Sequence, residues 1–317
     1  MLKKIIWGFV IVLGIVLAGI GGYAYYLYDS VKDTADAIHE PIDPDREKNL
    51  PKPKVAKNDR EPISILMLGV DERENDKGRS DTMIVITVNP HDDSMIMFNI
   101  PRDTRTEIIG KGFDDKINHA YAFGGTKMAV ETVENFLDIP IDYYFKVNME
   151  SFQDIVNAVD GVTVQNDLAF NYSGYEFPEG EIELENGKEA LAFVQMRKKD
   201  PRGDRGRNDR QRQIIQGVID KGARVSSITK FDNVLDVIGG SVKTNMTFDE
   251  MKDIQANYKD ARKKLQTFEV KATETYINDI FYYLVSEQER NEISKKLKEH
   301  LEIETQSASE DEDGNAA

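Results

Sequence analysis

A basic run at residues 197–212 is the densest group of side chains that could bind an anion. It holds eight Lys or Arg residues and three Asp residues, in a chain whose formal net charge is −16. One Pro and two Gly residues predict a loop at its centre, and Asn208 or Asp209 can cap the helix that follows. Guanidinium groups beside a helix N-terminus suit phosphate or pyrophosphate. The alternative is a nonspecific basic patch that faces anionic lipid or wall polymer.

Two carboxylates form a second group with possible chemistry. Asp71 directly follows one apolar run, and Asp81 lies at the start of the next. Adjacent strand ends can bring them together, and two carboxylates beside an Arg can hold a hard divalent cation such as Mg²⁺ or Mn²⁺. The alternative is two surface ion pairs, Asp71 with Arg73 and Asp81 with Arg79.

Arg102 follows a third apolar run, in the sequence Ile100-Pro101-Arg102-Asp103-Thr104. If the strands are parallel, its guanidinium lies at the same edge of the sheet as the two carboxylates, which is the usual ligand crevice of α/β folds. The alternative is a β-turn in which Asp103 caps the turn and Arg102 is solvated.

The composition and the missing motifs exclude several classes of protein. Of the 317 residues, 31% are charged and 40% hydrophobic, which is typical of a globular domain, and the absence of cysteine excludes a disulfide scaffold. The acidity of the chain argues against a nucleic-acid partner. Walker A, Gly-x-Gly-x-x-Gly and kinase signatures are all missing. His119 is the one plausible centre for a Ser-His-Asp triad, but no Gly-x-Ser-x-Gly motif accompanies it, so a structural role is expected.

A folded domain at residues 63–301 is predicted to position these side chains. Its β-branched apolar runs predict strands at residues 63–68, 83–88, 95–100, 142–147 and 161–164. Helical spacing occurs at residues 126–137, 151–159, 187–195, 209–224, 248–265 and 287–301. Because strands and helices interleave, we expect an α/β fold, or an α+β fold, in which helices flank a mixed central β-sheet.

The N-terminus is predicted to anchor this domain in a membrane. Residues 5–28 carry no charge and are long enough, as a helix, to cross a hydrocarbon core of about 30 Å. A cleaved signal peptide is the alternative, although its apolar region is usually shorter. Lys3 and Lys4 precede the span, which predicts a cytoplasmic N-terminus and an extracellular domain at the cell membrane.

The remaining segments are predicted to lack a fold of their own. Residues 1–28 are therefore the cytoplasmic end and anchor, and residues 29–62 are a Pro-rich linker that holds the domain off the bilayer. Residues 302–317 are predicted to be a disordered acidic tail.

Six short blocks in the domain occur in a characteristic order. They are Leu68-Gly69-Val70-Asp71, Arg79-Ser80-Asp81-Thr82-Met83, Ile100-Pro101-Arg102-Asp103-Thr104, Lys116-Ile117-Asn118-His119-Ala120-Tyr121, Ile141-Asp142-Tyr143-Tyr144, and Asp200-Pro201-Arg202-Gly203-Asp204 followed by Gly206-Arg207 and Arg210-Gln211. This ordered series resembles the LytR-CpsA-Psr family of bacterial cell-wall proteins. The resemblance spans most of the domain and includes the anchor and the outward topology.

The resemblance implies a transferase. Such an enzyme takes an anionic glycopolymer, such as wall teichoic acid, from an undecaprenyl-pyrophosphate carrier and joins it to peptidoglycan at the 6-hydroxyl of N-acetylmuramic acid. Undecaprenyl phosphate is released. The pyrophosphate link is itself the activated bond, so no nucleotide is required.

The resemblance also assigns roles to individual residues. It implies that Asp71 and Asp81 hold Mg²⁺, or Mn²⁺, and that they and Arg102 are catalytic. It implies a pyrophosphate site made of Arg79, Arg102, Arg197, Arg207, Arg210 and Gln211, with Arg205 in the same loop. Gln195 stands where the family usually has another Arg, and it can donate a hydrogen bond but brings no charge.

Two other functions remain open at this point. A lipid-pyrophosphate pyrophosphatase would use the same residues with water in place of the sugar hydroxyl. A noncatalytic envelope regulator or attenuator would bind without turnover, although a domain outside the cell cannot contact DNA directly.

Overall fold

The structure is a computed structural model, and it describes residues 32–43, 52–72, 78–223 and 242–303, together with Asp29 and Asp45. The predicted membrane span at residues 5–28 and the tail from residue 304 onward lie outside these ranges. Among the described helices, none is long and apolar enough to cross a membrane.

The strands follow one another along the chain with helices between several of them. They are β1 (Ile63–Val70), β2 (Ser80–Asn89), β3 (Ser94–Asn99), β4 (Arg105–Ile108), β5 (Phe113–Lys116), β6 (Tyr143–Val147), β7 (Val162–Asn166), β8 (Phe170–Tyr172), β9 (Tyr175–Phe177), β10 (Gly180–Leu184), β11 (Val242–Thr244), β12 (Leu265–Thr267), β13 (Thr273–Ile277) and β14 (Ile280–Leu284). The helices are α1 (His119–Leu137), α2 (Met149–Ala158), α3 (Gly187–Gln195), α4 (Asp204–Gly222), α5 (Phe248–Asn257) and α6 (Glu287–His300), and residues 32–38 are also helical.

A six-stranded mixed sheet with the order β11-β6-β1-β2-β3-β12 forms the centre of the domain. Strands β1, β2 and β3 pair antiparallel, as do β6 and β11, whereas β1 pairs parallel with β6 and β3 with β12. Four two-stranded sheets, β4-β5, β7-β10, β8-β9 and β13-β14, surround it. The fold is therefore mixed α/β, as the interleaved pattern predicts.

Both faces of the central sheet are buried, which explains why its strands are continuous apolar runs. In β2, Met83 and Val85 belong to the cluster beneath α1 and α6, whereas Ile84 and Ile86 belong to the cluster beneath α4 and α5. Alternate residues of a strand point to opposite faces, so a single strand supplies both cores.

Polar caps fix where several helices begin. The side chain of Asn186 accepts a hydrogen bond from the backbone of Glu189 at the start of α3, and Asn148 does the same for α2. At α5, Thr247 and Glu250 bond reciprocally as a capping box. Such caps satisfy backbone N–H groups that would otherwise lack partners, so the sequence itself marks these boundaries.

Part of the predicted linker packs on the domain. Ala35 and Ile38, in the helical segment 32–38, are buried beside Phe248, and Ile42 and Val55 lie within two of the larger cores. The prediction that residues 29–62 lack a fold of their own therefore needs correction for these residues, whereas their part in spacing the domain from a bilayer stays a prediction. The few apolar side chains there have no periodicity of their own, but they cover apolar surface on the domain.

Three of the predicted helices differ from the structure by more than two residues at one end. Helix α3 matches its predicted range, but α4 begins at Asp204 rather than at residue 209, and Gly203 rather than Asn208 or Asp209 occupies its N-cap. The predicted helix 248–265 is wrong in its second half, because α5 ends at Asn257 and a 3₁₀ turn (Ala261–Lys264) leads into β12. Helix α1 begins seven residues before its predicted start at residue 126.

Candidate active site

Three strand ends meet at one edge of the central sheet. β1 ends at Val70, which pairs with Ser80 at the start of β2. β3 ends at Asn99, which pairs with Ile84 in the first half of β2. The backbone N–H groups of Asp71 and Asp81 both donate to the carbonyl oxygen of Arg79, at 3.2 and 3.1 Å. The two aspartates therefore lie at neighbouring strand ends, as predicted.

Arg102 reaches the same edge by a different route from the one predicted. The prediction required parallel neighbours, but β2 runs antiparallel to both β1 and β3. Because β1 and β3 both flank β2, they run in the same direction, and their C-terminal ends lie at the same edge.

Arg102 is held by carboxylates on two sides. Its Nη1 lies 3.1 Å from Oδ1 of Asp81 and its Nε lies 3.6 Å from Asp103, whose other oxygen accepts from Lys116 Nζ at 2.7 Å. Burial opposes the charge of Arg102, but the charges of Asp81 and Asp103 outweigh it and raise the pKa of the guanidinium. Arg102 is thus a fixed cation at the strand ends.

Two more guanidinium groups approach, that of Arg197 from the segment before α4 and that of Arg207 from the first turns of α4. Oδ1 of Asp204 lies 2.9 Å from Nε of Arg197 and 3.1 Å from Nη2 of Arg207, so one carboxylate fixes both arginines. Burial lowers the pKa of Arg207, and the charges of Arg102 and Arg197 lower it further, although Asp204 acts in the opposite sense. Two guanidinium groups from the basic run therefore converge with that of Arg102, and the carboxylates of Asp81, Asp103 and Asp204 lie between them.

A cleft opens between these elements, with an empty space of about 670 Å³ when open solvent is included. Four of the predicted residues line it, namely Asp81, Arg102, Arg205 and Arg207. The rest of the lining includes Asp103, Asp204, Arg212, Glu269 and Tyr283. A concave site with converging charged groups is the arrangement expected of a binding site for a small anion.

Arg205 and Arg79 are the more exposed of the predicted arginines. Arg205 lies at the rim of the cleft, with Nε 3.6 Å from Glu269 and 70% of its side chain exposed. Arg79 precedes β2 and is also exposed. Among the described residues, neither side chain is fixed by a close ion pair in the way that Arg102 and Arg207 are.

Arg210 occupies a different environment from the one predicted. Its Nη1 donates to Asp200 at 2.7 Å in a pair whose side chains are 3% and 0% exposed, and its guanidinium lies over the rings of Phe170 and Phe193. Burial raises the pKa of Asp200, but hydrogen bonds from Arg210 and Arg202 lower it overall. We therefore leave Arg210 out of the phosphate-binding set and assign it a structural part in holding the basic segment.

Gly206 is required by the same buried pair. A Cβ atom at this position would lie 1.8 Å from Oδ2 of Asp200, which is far closer than two such atoms can approach. The first turn of α4 can pass over Asp200 only because residue 206 has no side chain.

Gln211 and Gln195 take separate positions. Gln211 lies beneath the cleft, where its Nε2 donates to Thr82 Oγ1 at 3.0 Å and its Oε1 accepts from Asn99 at 3.3 Å. Gln195 ends α3 and is exposed, with Nε2 3.8 Å from the sulfur of Met149. Gln211 therefore adjoins the proposed site through Thr82 and Asn99, whereas Gln195 lies outside the cleft.

Several residues of the site were not predicted. Asp204 and Asp103 lie inside conspicuous motifs and could have been recognised as the partners of the arginines. Asn118 lies 3.5 Å from Asp81 through its Nδ2, and its Oδ1 is buried without a hydrogen-bond partner in the described part of the chain. Tyr283 comes from the β13-β14 hairpin, and no sequence signal connects it with the arginines.

The sequence matches a known protein family. The LytR_cpsA_psr family model matches residues 25–299, which include all six of the sequence blocks. The chain belongs to the LytR_cpsA_psr family.

The most similar relatives that we compared are transferases by name. A Bacillus subtilis (strain 168) protein named polyisoprenyl-teichoic acid--peptidoglycan teichoic acid transferase TagU is 54% identical over 300 residues, which cover 95% of this chain and 97% of the relative. A protein of the same name from Halalkalibacterium halodurans is 49% identical and is covered over its full length.

Solved structures of the family share the fold. The crystal structure of B. subtilis TagU superposes with a TM-score of 0.64 at 54% identity, covering 78% of this chain and 99% of that one. A structure of TagT bound to LI-WTA has a TM-score of 0.65 at 29% identity, covering 77% of this chain and 92% of that one.

Proposed function

We propose that this chain is a phosphotransferase of the bacterial cell wall. It moves teichoic acid, or a similar anionic glycopolymer, from an undecaprenyl-pyrophosphate carrier to the 6-hydroxyl of peptidoglycan N-acetylmuramic acid. The observation that carries the proposal is the convergence of Arg102 and Arg207 with Asp81 in one cleft, with Arg197 joined to it through Asp204. The names of the relatives, which cover nearly all of this chain, support the same activity.

The reaction is a phosphoryl transfer in which the pyrophosphate supplies the energy. The acceptor hydroxyl oxygen attacks the sugar-side phosphorus, the bond from that phosphorus to the bridging oxygen breaks, and undecaprenyl phosphate leaves with the bond electrons. The hydroxyl proton passes to a carboxylate, for which Asp71 and Asp81 are the candidates at the strand ends.

The arginines supply what this chemistry needs from a protein. Phosphoryl transfer depends mainly on positioning and on neutralising the charge of the phosphoryl oxygens. Arg102 is fixed by Asp81, and Arg207 and Arg197 are fixed by Asp204, so their donors need little rearrangement when a diphosphate enters. A half-buried guanidinium such as Arg207 also interacts more strongly with an anion than a solvated one does.

The strand ends fit a divalent cation such as Mg²⁺. Among the described residues, no group of three His, Cys, Asp or Glu side chains could hold a metal ion. These side chains alone would therefore not complete the coordination shell of a cation here. Mg²⁺ commonly binds one or two carboxylates and completes its shell with phosphate oxygens and water. Asp71 and Asp81 would hold it, with the buried Oδ1 of Asn118 as a neutral oxygen nearby. When bound, the ion would neutralise charge on the phosphoryl oxygens.

The carrier substrate fits the predicted location of the enzyme. An uncharged segment at residues 5–28 would anchor the chain in the cell membrane, with its domain on the outer side, where a lipid-linked precursor and peptidoglycan are both within reach.

One reconstitution tests the proposal against its alternatives. Full-length protein in detergent would be given a lipid-pyrophosphate-linked glycopolymer, peptidoglycan oligomers and Mg²⁺, and the products would be separated by mass. A polymer linked to peptidoglycan supports transfer. Free phosphorylated polymer would show a pyrophosphatase instead, and unchanged substrate would show a noncatalytic binding protein.

A further inference from the structure

A row of three aromatic rings leads out of the cleft along the β13-β14 hairpin. Tyr283 lines the cleft, the ring of Phe281 packs edge-on against it with centroids 5.1 Å apart, and Tyr276 packs against Phe281 at 5.5 Å. Tyr276 and Phe281 are directly opposite in the strand register, and residues 281 and 283 share one face of β14. The three rings therefore form one continuous surface.

The hairpin is attached to the site itself. The backbone N–H of Tyr283 donates to the carbonyl oxygen of Asp103 at 2.9 Å, and residue 283 forms a β-bridge with Thr104. On the other face of β14, Tyr282 is buried and its hydroxyl donates to Asp115 at 3.3 Å. The aromatic row is thus fixed to the residue that follows Arg102, and its orientation toward the cleft is set by backbone contacts.

Packing does not account for the rings. None of the three belongs to a hydrophobic core of the described residues, and Tyr276 is 72% exposed. Phe281 and Tyr283 are partly exposed, and a contiguous aromatic row that reaches solvent marks a binding surface more often than isolated aromatic side chains do.

The charges beside the three rings indicate which of the two substrates, the donor or the acceptor, binds there. Glu274 pairs across the hairpin from Tyr283, and Asp279 lies at the tip. These carboxylates disfavour a polyanion such as the teichoic acid donor, which is attracted instead to the basic segment that contains Arg197 and Lys198. A neutral sugar has C–H faces that stack on aromatic rings and hydroxyls that donate to carboxylates.

We propose that Tyr276, Phe281 and Tyr283 form the binding site for the acceptor glycan strand, whose sugar rings stack along the hairpin and bring one hydroxyl to the cleft. This assignment rests on the proposed transferase function, because only a transferase needs a sugar acceptor beside the arginines. The burial of Tyr283 and its neighbouring carboxylates raise the pKa of its hydroxyl, so this group stays protonated and can donate to a sugar oxygen.

The test measures acceptor binding independently of turnover. Full-length protein in detergent micelles would be titrated with peptidoglycan glycan oligomers that carry no wall polymer, for the wild type and for Tyr276→Ala and Phe281→Ala. We expect the dissociation constant to rise by about threefold to tenfold for each ring removed. Phe281→Tyr, which keeps the ring, should bind like the wild type.

A matched control is Phe113→Ala. Phe113 is also exposed and packs edge-on against another ring, Phe123, but it does not line the cleft. This variant should leave glycan binding unchanged. In the transfer assay, the hairpin variants should raise KM for the acceptor and leave KM for the lipid-linked donor as in the wild type.

The other outcomes overturn the assignment in distinguishable ways. Unchanged glycan binding in both alanine variants would remove the hairpin from the acceptor site. Unchanged binding with transfer lowered only in proteoliposomes would assign the rings to the bilayer surface, and a raised donor KM alone would assign them to the donor. If the wild type transfers nothing but the variants still lose glycan binding, the proposed function fails while the glycan site stands.

Discussion

Replacing Arg102 by Lys tests whether the site depends on an oriented guanidinium or only on positive charge. The two ends of the Arg102 group face different carboxylates, with Nη1 3.1 Å from Asp81 and Nε 3.6 Å from Asp103. A Lys ammonium is a single point charge and can reach only one of these positions. The remaining donors of the guanidinium, which we expect to face the phosphoryl oxygens, are lost.

The expected loss can be estimated from comparable sites. Removing one fixed donor to a developing anionic charge costs about 10²–10³ in rate, which corresponds to about 2.7–4 kcal/mol. We expect Arg102→Lys to lower the rate of transfer by about 10²-fold and Arg102→Ala to lower it by about 10³-fold or more. The side chain is partly exposed, so the free energy of unfolding should change by less than about 1 kcal/mol.

The assay is initial-rate transfer at saturating donor, with thermal unfolding measured on the same samples. Arg105→Lys is the matched control, because Arg105 also pairs with an aspartate, at 2.6 Å from Asp114, and is similarly exposed, but it lies outside the cleft. The control should retain wild-type rates. Full activity in Arg102→Lys would refute the inference that guanidinium geometry positions the diphosphate.

Three further predictions concern the buried pair, the metal and the response to pH. Arg210→Met should lower the free energy of unfolding, measured by urea denaturation, by about 3 kcal/mol, because the buried Asp200 then keeps only the more exposed Arg202 as a cation, and the double variant with Asp200→Asn should recover much of the loss. Chelation of divalent cations should abolish transfer, and Asn118→Ala should raise the Mg²⁺ concentration needed to restore it; an unchanged Mg²⁺ titration would remove Asn118 from the metal site. The ring of His300 forms hydrogen bonds with Thr87 and Ser94, and its burial lowers the pKa of the imidazole in the folded protein. The neutral ring therefore contributes fully to stability above the pKa of the unfolded state, about 6.5. This contribution is lost as the pH falls through the lower pKa of the folded state. Unfolding measured between pH 7 and 5 should therefore show a steeper loss for the wild type than for His300→Gln.

The strand ends of the site could be predicted because they depend on local patterns. Apolar runs located β1, β2 and β3, and the polar residues that follow them had to lie at their ends. The direction of the pairs was not predictable from the same runs, since a strand buried on both faces is apolar throughout whether its neighbours are parallel or antiparallel. Arg102 nevertheless lies at the predicted end of the sheet, because two successive antiparallel pairings give β3 the same direction as β1.

The basic segment shows where charge alone misleads. Sequence reasoning assigned Arg207 and Arg210 to the same phosphate site, but their places on α4 separate them, with Arg207 lining the cleft and Arg210 lying over aromatic rings. Gly206 suggested a loop, whereas the structure uses it inside a helix to pass over Asp200. Tyr283 reaches the cleft only through the tertiary packing of its hairpin, for which the sequence holds no local signal.

The contact between Gly206 and Asp200 has a consequence for how the chain can diverge. Any larger residue at position 206 would displace Asp200. Arg210 would then lose the ion pair with Asp200 that it forms while buried. Substitution of Asp200, Gly206 or Arg210 alone is therefore unfavourable. We expect these three residues to be kept together or replaced together across homologous proteins. Such covariation would arise from steric fit inside the protein, without any demand from the polymer being transferred.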